Sequence, residues 1–168
     1  MSRLRTLDDL VGCCVMSVAG VTLWCMEVTE SLLQRVPVGN LRVPRPEFAA
    51  VWVAGERLCR EQGARGGSDW YAAGVVTTCR WLATAIVETQ TGRRIPAFAP
   101  ATSTDARAYE ELIEAEFQAA ELLDVRQPGL AQRRPGWCEG IRATLHWAWR
   151  HDGPPPLPVS AGKVEPGG

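Results

Sequence analysis

The side chains in this sequence suited to chemistry are two histidines, six cysteines and a run of glutamates, and their spacing limits what they can do. His146 and His151 are five residues apart, which puts them on different faces of a helix. Cys138 and His146 are eight apart, about two turns, too far to share one ion unless another element adds ligands. Zinc needs two or three more ligands, and no spacing supplies them. No metal and no cofactor is therefore expected. Cys79 with His146 and a helix glutamate would make a nucleophile and base. However, Cys79 corresponds to Leu145 in an internal similarity described below, which marks it as a packing position. No GxSxG, P-loop or GxGxxG motif is present. The six cysteines form no CxxC pair and read as small buried hydrophobes.

The remaining polar feature is an acidic stretch: Asp105, Glu110, Glu111, Glu114, Glu116, Glu121 and Asp124, against Arg107 alone. Its plain reading is the solvated face of a helix. Its sharper reading is a docking surface for a basic partner, with Arg126, Arg133 and Arg134 of the same chain as candidates. Seven tryptophans are many for 168 residues. Trp70, Trp81, Trp137, Trp147 and Trp149 either fill a small helical core or line an apolar groove. The candidate interaction surface is accordingly Glu110, Glu111, Glu114 and Glu121 with Trp81 and Trp147. With a net charge of −1 and a pI near 6.1, nucleic acid is not an expected partner, because phosphate contacts demand a basic surface. Lys163 is the only lysine, an arginine bias in keeping with a high-GC bacterial genome.

The elements that must position these residues read as all-α. Residues 10–26, LVGCCVMSVAGVTLWCM, carry no charge and are expected to form one apolar helix. At 17 residues the run reaches the lower limit for a membrane span. A buried helix of a soluble bundle is the alternative. A cleaved signal peptide fits less well, because Asp8 and Asp9 spoil its basic start. Residues 70–87 are interrupted by Arg80 and read as a central bundle helix rather than a second span. Segment 1–35 is thus expected to be an anchor, 36–45 a linker, 46–152 a bundle of about four helices, and 153–168 a disordered Pro- and Gly-rich tail. The helices are expected at 46–63, 69–90, 104–124 and 136–151.

Two segments echo each other. Tyr71, Gly74, Val75, Thr78 and Trp81 have the same spacing as Trp137, Gly140, Ile141, Thr144 and Trp147. Glycine at matched places would let two similar helices approach closely, and the body would then be two related helix hairpins.

The functional expectation is a non-enzymatic, membrane-anchored helical interaction or accessory protein. It would be single-pass, with a cytoplasmic body, and engage a protein partner or itself. One alternative is a cytoplasmic all-α regulatory protein with residues 10–26 in its core or dimer interface. The other is a small ligand-binding protein or enzyme with a tryptophan-lined pocket.

Overall fold

The computed structural model describes residues 15–18 and 21–159. These are mostly helical. The four main helices are α2 (Arg45–Ala64), α3 (Trp70–Leu82), α4 (Glu110–Glu121) and α7 (Trp137–Ala148). Short helices α1 (Glu30–Gln34), α5 (Leu123–Arg126) and α6 (Pro128–Arg133) join them. Pro46 occupies the first turn of α2, where its missing N–H costs nothing. The N-cap of α3 is Asp69, and its carboxylate accepts from the Ala72 N–H at 2.9 Å.

Helix α3 is the centre of the body, with every residue from Ala72 to Leu82 buried. It packs against α2 on one side and α7 on another, and α4 covers α7. The echoed residues form the α3–α7 seam. A Cβ on Gly74 would lie 2.5 Å from the Trp137 carbonyl oxygen, and one on Gly140 would lie 2.2 Å from that of Tyr71. Tyr71 and Trp137 are themselves matched positions, so the contact is reciprocal, as across a two-fold axis. Glycine is required here because any side chain would meet backbone. Thr78 and Thr144 donate to the Gly74 and Gly140 carbonyls, both at 2.8 Å, so their hydroxyls are satisfied within the buried helices.

The correspondence extends to the outer helices. Phe48, Val51, Trp52 and Gly55 of α2 are all buried, and in α4 the equally spaced Ile113, Glu116, Phe117 and Ala120 are too. The all-α expectation holds for the body.

Four expectations need correction. First, the run at 10–26 is not one helix. Val15–Val18 and Val21–Trp24 are antiparallel strands β1 and β2, with Val15 opposite Trp24 and Val18 opposite Val21. A continuous apolar stretch carries no periodicity to separate helix from strand. Valine and threonine favour the pleat. Residues 10–14, 19 and 20 of that run lie outside the described residues. Among the described residues no helix is long and apolar enough to cross a membrane.

Second, the expected linker is a packed strap. Val36, Leu41 and Val43 are buried, and Asn40 Nδ2 donates to the carbonyls of Leu82 and Ala108 at 2.8 and 3.2 Å. Prolines and glycine make this segment irregular but do not keep it out of the core.

Third, the helix expected at 69–90 stops at Leu82. Strands β3 (Ile86–Glu88) and β4 (Arg94–Pro96) follow as an antiparallel hairpin, turned at Gly92 with φ 77°. The β-branched Ile86, Val87 and Thr89 prefer the strand. Helix α4 likewise starts six residues later than expected, because residues 104–109 are held as a loop. Trp81 Nε1 donates to the Ala106 carbonyl at 2.9 Å, and Asn40 to that of Ala108.

Fourth, the tail is partly ordered. Pro156 and Leu157 are buried, and the Tyr71 hydroxyl donates to the Pro156 carbonyl at 2.9 Å. Residues 160–168 lie outside the described residues.

Candidate functional site

The sequence-predicted surface divides in two. Trp81 and Trp147 are 1% and 3% exposed and belong to the core, so neither can present itself to a partner as expected. Both are large apolar groups of the two central helices, where burial outweighs any surface role. The glutamates do remain at the surface, but most are already engaged. Glu114 accepts from Trp149 Nε1 at 3.0 Å and from Arg150 at 2.5 Å. The Trp149 bond, and then one that Gln118 Nε2 donates at 3.1 Å, hold its carboxyl below the usual glutamate range. Glu121 lies 2.9 Å from His146 Nε2, and Glu110 lies 3.7 Å from Arg42. Asp124 pairs with Arg142 at 3.2 Å. Arg126, Arg133 and Arg134 take no part in these pairs. Instead the Arg134 guanidinium covers the Trp70 and Trp137 rings, which meet edge to face.

Glu116 was read with the solvated face, yet it is 3% exposed. Its carboxylate accepts from the backbone N–H groups of Ala101 and Thr102 and from the Thr102 hydroxyl. It is a structural clamp on the loop before α4.

The candidate nucleophile fares no better. Cys79 is wholly buried, and burial, reinforced by Glu56, pushes its thiol well up. His146 is not beside it but on α7, against Glu121 and the Phe117 ring. Beside Cys79 in sequence, Arg80 makes a buried ion pair with Glu56, with Nε to Oε1 and Nη2 to Oε2 both at 2.8 Å. Trp52 Nε1 and the Met26 N–H also donate to that carboxylate. Glu56 therefore joins α2, α3 and the segment leaving β2. Among the described residues no group of three or more His, Cys, Asp or Glu is placed to hold a metal.

A site that sequence reasoning missed opens at the C-terminal end of α3. The cleft has a volume of about 630 Å³, within the usual range for small-ligand sites. Trp81, Ala83, Ala85, Ala97 and Ala108 line it. Leu32 of α1, Arg35 directly after it, and Ile86, Arg94 and Pro96 of the β3–β4 hairpin line it as well. Asp105 and Arg107 complete the polar lining. Arg35 bonds to Ser31 of its own helix, and Arg107 reaches the Thr84 hydroxyl at 3.5 Å. Among the described residues none of the three arginines is in an ion pair.

At the lip stands Thr84, with φ 53°. Its N–H donates to the Trp81 carbonyl and the Ala85 N–H to that of Arg80, both at 2.9 Å. This is the paired bonding of a helix end that ordinarily has glycine at this position. A β-branched residue there is strained, and such strain concentrates where a site is held in a fixed shape. The only signals in the sequence were scattered arginines in three separate segments, which no spacing connects.

Comparison with known proteins finds no matching family model, no matching curated protein and no matching solved structure.

Proposed function

We propose that this protein is a non-enzymatic helical binding protein, an interaction or accessory module whose working surface is the arginine cleft rather than the acidic face of α4. The observation that carries this reading is the contrast in charge pairing. Glu110, Glu114 and Glu121 have partners within the chain, whereas Arg35, Arg94 and Arg107 line a cleft with several apolar residues and, among the described residues, are in no ion pair. Convergent charge among apolar residues is the ordinary make-up of a ligand site. The fixed, strained lip at Thr84 supports preorganisation. The body is read as two related hairpins, α2–α3 and α4–α7, which supply a rigid platform and leave the connections between them to make the cleft.

The test is a fragment titration followed by amide chemical shifts, using anionic, cationic and neutral compounds on the full chain. Anionic fragments are expected to move the amides of Thr84, Ala85, Arg94 and Arg107 saturably. Cationic fragments are expected to leave α4 unchanged. Shifts confined to α4, or saturable shifts nowhere, would overturn the reading.

A further inference from the structure

Resting on that reading, we infer that the cleft takes a phosphomonoester carrying an apolar substituent. The charges set the head group. Three arginines against one aspartate, Asp105, leave two positive charges around the opening. A phosphomonoester carries about −1.5 to −2 at neutral pH, while a carboxylate supplies only one negative charge. The guanidinium fork also matches phosphate oxygens in pairs, a geometry lysine cannot offer. Arg94 on β4 and Arg107 on the loop before α4 both line the cleft, so a head group bound there has both guanidinium groups as candidate partners. Arg107 is steadied by the Thr84 hydroxyl.

The walls set the substituent. Met26, Leu32, Ile86 and Pro96 give the cleft an apolar lining, and Ile86 is 45% exposed, the large hydrophobe of this cleft left open to solvent. Covering it adds affinity in proportion to the apolar area removed from water. A bare phosphate leaves that lining wet, and a bulky polar ester would have to desolvate groups for which the lining alanines offer no partner.

Titration calorimetry on the full chain with hexyl phosphate, inorganic phosphate, hexanoate and hexyltrimethylammonium tests this. Hexyl phosphate is expected to bind at one site, at least tenfold more tightly than inorganic phosphate or hexanoate, and the cation not at all. The R94Q/R107Q variant should lose at least tenfold in affinity with its thermal midpoint unchanged, since both side chains are exposed. R94Q and R107Q singly should each weaken binding. The control R57Q/R60Q, which removes the same charge from the exposed side of α2, should bind normally. Binding that survives R94Q/R107Q, or is lost equally in the control, overturns the site. Hexanoate binding as tightly as hexyl phosphate overturns the phosphate assignment. If hexyl phosphate fails while carboxylate or sulfonate fragments still move the Thr84 and Arg107 amides, the phosphate inference falls and the binding-protein reading stands. If neither binds, both fall. Cosedimentation with phosphatidylcholine vesicles, with and without phosphatidic acid, identifies the source. Pelleting that depends on phosphatidic acid and on Arg94 and Arg107 assigns the head group to a lipid. Calorimetric binding without pelleting assigns it to a soluble ester.

Discussion

Two acid–base contacts occupy matching places in the molecule. Glu56 of α2 meets Arg80 of α3, and Glu121 of α4 meets His146 of α7. Each glutamate follows a matched small residue, Gly55 or Ala120, and each base precedes a matched tryptophan, Trp81 or Trp147. Their surroundings differ. The Arg80 and Glu56 side chains are 2% and 3% exposed, while His146 and Glu121 are 38% and 41% exposed. The difference follows from what covers each pair. Helix α3 is enclosed by α2, α7 and the strap at 36–45, and the segment leaving β2 closes over Glu56 through the Met26 N–H. Helix α7 has α3 on one side and α4 on another, and Glu139, Arg142 and His146 lie on a face that is at least partly exposed. One helix pattern thus supports a buried charge pair in one half and a surface contact in the other.

The largest test of that contrast is to remove each acid. Glu56→Ala strands the Arg80 charge in the core and should cost about 3–5 kcal/mol. Glu121→Ala should cost less than about 1 kcal/mol, the ordinary value of an exposed pair. Urea unfolding of both variants measures this, and equal losses would break the comparison.

The seam the two halves share should respond symmetrically. Gly74→Ala and Gly140→Ala each drive a methyl into the facing backbone and should cost about 1–3 kcal/mol. Alanine at an ordinary helix position would instead gain up to about 1 kcal/mol. The double variant should cost less than the sum, because one separation of the helices relieves both clashes.

A smaller effect concerns the helix ends, where Thr84 and His151 both have positive φ, 53° and 54°. Glycine at either should raise stability by roughly 0.5–1 kcal/mol by removing strain. Only Thr84→Gly should also weaken anion binding, because it removes the hydroxyl that Arg107 reaches. Thermal unfolding and calorimetry on the same samples separate the two effects.

The smallest effect is in pH. The Glu114 carboxyl is held below its unfolded value, so its stabilising contribution is full above about pH 4.3 and is lost as pH falls through the lower folded value. The side chain is 41% exposed, which limits that contribution to about 0.5 kcal/mol. Glu114→Gln should lower stability by up to about that amount near neutrality and converge with the unsubstituted protein as pH falls below that point.

Much of the body was legible because amphipathic periodicity is a local property. Phe48, Val51, Trp52 and Cys59 on α2, and Ile113, Phe117 and Ala120 on α4, announced their buried faces by spacing alone. The matched glycines announced a close helix crossing. The run at 10–26 was misread because an apolar stretch without periodicity fits strand and helix equally. The stop at Leu82 was missed because a threonine, not a glycine, ends the helix.

What the sequence by itself determined is the presence of the four main helices of the body and the close approach of α3 and α7, since both follow from residue spacing within a segment. Only the tertiary structure decided that Arg80 pairs with Glu56, that Glu116 clamps a loop, that the segment at 36–45 is a strap, and that Arg35, Arg94 and Arg107 surround one cleft. The reason is physical. Those contacts join residues far apart in the chain, and the free energy that fixes them comes from burial and charge pairing between elements, which no local pattern encodes.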